Sequence, residues 1–153
     1  MFSGYWRMPE KTAAEFRADG FFITGDVGKI DANGYVHIVG RAKDLVICGG
    51  YNVYPKEVET VIDAIEGVAE SAVVGVPHPD FGEAVVAIFL RRSGFSDVTE
   101  PQVIAVCKER LANYKVPKWV FFMDELPRNA MGKVQKNLLR DQHNDLFATT
   151  QLA

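Results

Sequence analysis

The sequence predicts an α+β fold: a small mixed sheet flanked by helices, preceded by a separate helix and β-hairpin. Three observations carry this. Ala84 to Leu90 (AVVAIFL) is apolar throughout, which suits a central strand buried on both faces. Pro55 opens the segment KEVETVIDAI, where Val58, Val61, Ile62 and Ile65 fall on one side of a 3.6-residue helix. A second helical rhythm follows that strand, with Val103, Ile104, Val106, Cys107 and Leu111 facing inward.

The remaining elements follow in order. Pro9 to Arg17 reads as a short helix, with Pro9 at its first position, Glu10 near its positive end and Gly20 as its stop. Phe21 to Thr24 reads as a strand ending at Gly25-Asp26. Val27–Ile30 and Tyr35–Val39 read as a hairpin around Asp31-Ala32-Asn33-Gly34. That DANG string lacks the later acidic ligands of a calcium loop, so a plain turn is the better reading. Gly40 to Asp44 (GRAKD) is a polar knot between apolar strands, and a boundary between two bodies is placed there. Leu45–Cys48 is a strand broken by Gly49-Gly50, and Gly67 ends the helix after Pro55. Val68–Val76 is a strand, Pro77–Asp80 a rigid turn and Ser93–Asp97 a loop. Thr99 caps the helix running from Pro101 to about Leu111. Trp119–Met123 is a further strand, Asn137 to about Leu146 the closing helix, and the last residues should fray.

Bulk properties restrict function. The 153 residues are 48% hydrophobic, enough for a packed core. A net charge of −3 argues against nucleic acid as the main partner. Cys48 and Cys107 lie far apart, with no CxxC pair and no histidine cluster. No metal site or disulfide framework is therefore expected, and a reducing cytoplasmic setting fits. No apolar run approaches a membrane span, and the first residues lack the pattern of a signal peptide. They read as a cut made inside a longer protein.

Common enzyme signatures such as a GxSxG elbow, a Walker loop or HExxH are missing. His37, His78 and His143 are scattered and read as structural. Pro127 to Lys136 (PRNAMGKVQK) is a basic loop in which Gly132 leaves the backbone before Lys133 bare. By itself it is either a solvated turn or a device for reaching into a site. Gly49-Gly50 could admit a ligand close to the backbone or simply turn the chain. Asp26 could accept hydrogen bonds from a sugar diol or simply close a turn.

Their order is more specific than any one of them. TGD (Thr24–Asp26), GRAKD (from Gly40), GGYNVYPKEVE (Gly49–Glu59) and PRNAMGKVQK succeed one another over nearly the whole chain. This resembles the C-terminal part of the AMP-forming acyl-CoA synthetases, the adenylate-forming family that includes luciferases and peptide-synthetase adenylation domains. Within it, the longer strings look like malonyl-CoA synthetases. The resemblance implies that residues 1–42 are the tail end of a large N-terminal domain. Residues 43–146 would be a mobile C-terminal lid and 147–153 a frayed tail.

It also implies roles. Asp26 would bind the ribose hydroxyls of ATP, and Arg41 would help hold the ribose and polyphosphate side. Lys43 would be the hinge, at a position where many relatives have aspartate. Gly50 would let the pantetheine arm of coenzyme A pass. Gly132 would let Lys133 approach, and Lys133 would be the catalytic lysine of adenylation. ATP, Mg2+ and coenzyme A are the implied cofactors, with Mg2+ held mainly by the absent larger domain. A small carboxylic acid, malonate foremost, and the chain's own N-terminal domain are the implied partners. Lys133 is also the expected target of a GNAT-type acetyltransferase and a sirtuin-type deacetylase. An interaction module for such a modifying enzyme, or a ligase for another short acid, is the alternative function. A free-standing adaptor without chemistry would predict loss of Lys133 or Asp26, and both are present.

Overall fold

The computed structural model describes residues 2–95 and 97–148, and these form two compact units meeting between Lys43 and Asp44. In the first unit, helix α1 (Pro9–Glu15) begins with its proline, where the missing amide costs nothing, and ends at Phe16 in extended conformation. Strands β1 (Asp26–Ile30) and β2 (Val36–Arg41) pair antiparallel, with Asp26 opposite Arg41 at the open end.

The DANG turn is held from within. The Asp31 carboxylate accepts the amides of Asn33 and Tyr35 and meets the His37 ring at 2.8 Å. The His37 contact, then the Tyr35 amide, hold the Asp31 carboxyl below its ordinary pKa. The carboxylate is thus engaged in the turn, as a plain turn requires.

The strand expected at Phe21–Thr24 does not form. Its backbone bonds to the end of α1 instead, Arg17 donating to Phe21 and Ile23 to Glu15, with a single bridge between Phe16 and Phe22. The rings of Phe2, Phe16 and Phe22 cluster edge-on or tilted at 5.0–5.6 Å. Side-chain pattern alone missed this, because a strand also needs a partner strand within reach.

The second unit holds all the buried residues of the described chain. Its sheet runs β4 (Tyr51–Val53), β3 (Val46–Cys48), β6 (Gly82–Arg91), β5 (Val68–His78). The fifth strand, β7 (Trp119–Phe122), joins β6 in parallel, so the sheet is mixed as expected. Strand β6 is central and buried on both faces. Val85, Ala87 and Phe89 enter one core with Val58 and Ile62 of α2 (Pro55–Asp63) and Val103 and Cys107 of α3 (Glu100–Arg110). Val86 and Ile88 enter the other with Leu126 and Leu139 of α4 (Lys136–Gln142).

Start signals in the sequence place the helices well. The Gln102 side chain accepts the Thr99 amide at 2.8 Å, one half of a capping box. Ends are less legible. Strand β5 runs on through Pro77, since an edge strand tolerates a proline on its free side. Helix α4 stops at Gln142, short of the expected Leu146. Of the tail expected to fray, residues 149–153 lie outside the described ones, while Phe147 packs on the His78 ring at 4.8 Å. Among the described residues, no helix is long and apolar enough to cross a membrane.

Candidate functional site

Asp26, Arg41 and Lys43 line one concavity of about 500 Å3 in the first unit, with Tyr5, Lys11 and Glu15. The pairing of β1 with β2 sets Asp26 beside Arg41, and Arg41 Nε lies 3.1 Å from Asp26 Oδ1. The Thr24 hydroxyl accepts the Asp26 amide at 3.1 Å, which fixes the TGD corner. Tyr5 donates its hydroxyl to Glu15, and this bond raises the Tyr5 pKa. Lys11 Nζ sits 4.4 Å from the centre of the Tyr5 ring. An anionic corner beside two cations suits a ligand carrying both hydroxyls and negative charge. Lys43 lies exposed in the short 3-10 turn Ala42–Asp44, at the boundary of the two units.

Gly49 and Gly50 form the two-residue turn of a β3–β4 hairpin that the sequence did not announce, because Tyr51–Val53 is too short to show a rhythm. Both have positive φ, 58° and 81°, as a primed two-residue hairpin turn demands. Among the described residues, its two chain neighbours aside, nothing lies within 4 Å of a side-chain carbon added at Gly50, so backbone conformation accounts for its glycine and space beside it is open. Gly49 donates to the Phe81 carbonyl at 2.9 Å, and the Glu83 carboxylate accepts the Ile47 amide at 2.8 Å. The turn is thereby tied to the β5–β6 end of the sheet.

Lys133 sits at the other end. Its loop is a closed hairpin, since Gln135 donates to the Pro127 carbonyl at 2.8 Å and Arg128 bridges Val134. Asn129 Oδ1 accepts the amides of Met131 and Lys133 at 3.0 Å each, an Asx-type closure. Gly132 takes φ of 76° at the bend. Lys133 itself is exposed. The hairpin is anchored through an Arg128–Glu70 ion pair at the start of β5. Eight residues of β5 separate Glu70 from His78, a span of about 27 Å at strand spacing. Gly50 and Lys133 are therefore presented at opposite ends of one sheet.

A second anchor went unread in the sequence. Glu59 of α2 is buried, 6% exposed, and its Oε1 meets Lys136 Nζ at 2.6 Å and the Val73 amide at 2.9 Å. Its signal was present: Glu59 falls three residues before Ile62, on the apolar face of the helix. The Arg128–Glu70 pair is over a third exposed on both sides, which limits such a pair to about 1 kcal/mol or less. The Glu59–Lys136 pair is far more enclosed, and breaking it would leave a buried charge uncompensated at a cost of several kcal/mol. Among the described residues, no three His, Cys, Asp or Glu side chains are grouped to hold a metal ion.

The profile of the AMP-binding enzyme C-terminal domain matches residues 57–133, which include the end of α2, the whole of β5 and β6, and Lys133. A Rhodococcus jostii ligase named for joining 3-[(3aS,4S,7aS)-7a-methyl-1,5-dioxo-octahydro-1H-inden-4-yl]propanoate to CoA is 52% identical over 139 residues, covering 91% of this chain. The long-chain-fatty-acid–CoA ligase FadD13 of Mycobacterium tuberculosis is 46% identical over 140 residues, covering 92% of it. The chain spans 27% of the length of each of these ligases. ATP-bound MatB from Rhodopseudomonas palustris superposes with a TM-score of 0.86 at 62% identity, over 96% of this chain and 29% of that one. Fold, motif order and sequence agree, and the chain belongs to the AMP-binding enzyme C-terminal domain family.

Proposed function

We propose that this chain is the C-terminal part of an ATP-dependent, AMP-forming carboxylic acid–CoA ligase, with malonate as the acid. The observation that carries the reading is Lys133, exposed at the tip of an anchored hairpin within the family's matched span. In the first half-reaction a carboxylate oxygen attacks the α-phosphorus of ATP, an acyl–AMP bond forms, and pyrophosphate leaves. The Lys133 ammonium lies against the carboxylate and phosphoryl oxygens as negative charge gathers there. Asp26 accepts the ribose hydroxyls, and Arg41 orients Asp26 and faces the phosphates. Mg2+ would offset phosphate charge when bound. Among the described residues no three His, Cys, Asp or Glu side chains are grouped to hold it, and its ligands are proposed to lie in the larger domain.

In the second half-reaction the coenzyme A sulfur attacks the acyl carbon, the thiol proton is released, and AMP leaves. Gly50 serves this step, with open space beside its α-carbon for the pantetheine arm. Lys43, in its exposed turn at the boundary of the units, is the hinge that exchanges one end of the sheet for the other. Support for a larger parent comes from relatives more than three times the matched length and from a first unit that buries none of its described residues. Residues 1–42 are then the end of the large domain and 43–146 the lid. Two unpaired buried cysteines suit a cytoplasmic protein.

Malonate rests on the motif strings and on the likeness to MatB. The test is the parent enzyme with ATP, coenzyme A and a panel of malonate, acetate, a long-chain acid and an aromatic acid. Malonyl-CoA detected by mass spectrometry at the highest rate supports the reading. Turnover of another acid alone removes malonate, and no acyl-CoA from any acid removes the ligase. The isolated chain should release no pyrophosphate.

The exposure of Lys133 favours a second, compatible reading, in which a GNAT-type acetyltransferase modifies it and a sirtuin-type deacetylase restores it. Acetylation removes the charge that adenylation needs. Incubation with such an acetyltransferase and acetyl-CoA should add 42 Da (about one acetyl group) at Lys133, and label elsewhere only would refute it.

A further inference from the structure

We propose that Glu59 is a positioning residue for Lys133, acting through Lys136. The inference rests on the adenylation role of Lys133 given above. Glu59 is the sole charged residue buried among the described ones, and it occupies a helix face that an apolar side chain would fill. What the carboxylate does there is specific. It accepts the Val73 amide on the free edge of β5, and with the same oxygen it holds the ammonium of Lys136, the first residue of α4. The hydroxyl of Ser71, also on that edge, donates to Asp63 at 2.6 Å, so the acidic side of α2 is fixed to β5 at two points.

Lys136 lies three residues beyond Lys133, directly after the hairpin closes at Gln135. The hairpin's own hydrogen bonds, from Asn129, Gly132 and Gln135, make its tip rigid but do not say where the tip points. Leu126 and Val134 pack the hairpin's base against the core, and two ion pairs hold its arms: Arg128–Glu70 on the incoming arm and Lys136–Glu59 on the outgoing arm. The first pair is open to solvent and the second is enclosed, so the second sets the aim. Loss of Glu59 frees the outgoing arm, so the tip shifts relative to the base held by Leu126 and Val134 while the hairpin's internal bonds stay intact. Misplacing a reacting group by about 1 Å can cost about a hundredfold in rate.

The experiment measures both half-reactions of the parent ligase: pyrophosphate release from acid and ATP, and acyl-CoA formation from supplied acyl-AMP and coenzyme A. Glu59→Gln is expected to lower the adenylation kcat about tenfold or more, with KM for ATP changed little and thioester formation within about twofold. Lys136→Met should match it, and Lys136→Arg should retain activity. The double variant Glu59→Gln/Lys136→Met should lose no more than the worse single change. In this chain, NMR order parameters of the Gly132 and Lys133 amides should fall in Glu59→Gln while those of β5 and β6 hold.

Equal loss of both half-reactions would show a merely structural carboxylate and overturn the proposal, as would unchanged adenylation. Should Glu59→Gln fail to fold, Lys136→Met carries the same test from the less buried partner. Lys133→Ala separates the two levels. If it abolishes adenylation while Glu59→Gln does not, only the positioning role fails. If it leaves adenylation intact, both fail.

Discussion

Lys133 and His143 show how differently the fold treats two polar side chains. Lys133 stays in water on a hairpin. His143 is stacked flat on Phe121, with ring centres 4.5 Å apart and planes 5° from parallel. Its Nε2 has no hydrogen-bond partner among the described residues, and burial holds its pKa below the ordinary value. The unfolded chain therefore binds a proton more readily than the folded one. Stability contributed by neutral His143 is present above about pH 6.5 and is lost as pH falls through the folded pKa. Denaturant titrations between about pH 7.5 and 5 should show this decline, and His143→Phe, which keeps the stack, should flatten it. Cys107 makes a related point. Burial pushes its thiol up to about 11, so iodoacetamide at about pH 8 should label it only after unfolding.

At the scale of elements, some of the fold was legible in the sequence and some was not, for physical reasons. Helices α2 and α3 announce themselves because proline, capping residues and a 3.6-residue rhythm all act locally. Strand β6 was legible because burial on both faces leaves no polar position between Ala84 and Leu90. Strand β4 was not, since three residues carry no periodicity and only its turn glycines marked it. Phe21–Thr24 had the composition of a strand but no strand to pair with.

The same holds for the candidate site. Asp26, Arg41, Gly50 and Lys133 stand in motifs that carry a role, whereas Glu59, although it ends GGYNVYPKEVE, acts like Glu70 and Glu83 through partners distant in sequence and visible only once the sheet is assembled. Gly75 tests one of these long-range contacts. A side-chain carbon there would sit 2.7 Å from Glu83 Oε1 and 3.0 Å from Val46 Cγ1. Gly75→Ala should push Glu83 off the Ile47 amide and destabilise the second unit by about 1–3 kcal/mol, measured by denaturant unfolding.

For the whole molecule, the division between Lys43 and Asp44 separates a unit with a core from one without. The first unit leaves Phe21, Ile30, Val36 and Ile38 between 64% and 73% exposed. A two-stranded hairpin cannot stabilise itself with such surface in water. A chain beginning at Asp44 should therefore keep its cooperative thermal unfolding, with a midpoint within about 5 °C of the whole chain's, and should self-associate less. Loss of the transition would show that the first unit contributes to the core after all. The division also places Asp26 and Arg41, to which the proposed function gives the ribose, in one unit and Lys133 and Gly50 in the other.

The central claim is that Lys133 serves adenylation and not thioester formation. Replacing it in the parent ligase, Lys133→Ala, and following both half-reactions separately tests this most directly. The account predicts that pyrophosphate release falls about a hundredfold or more. Acyl-CoA formation from supplied acyl-AMP should stay within about twofold of the unaltered enzyme. Adenylation that survives the substitution, or an equal loss of both steps, would contradict it.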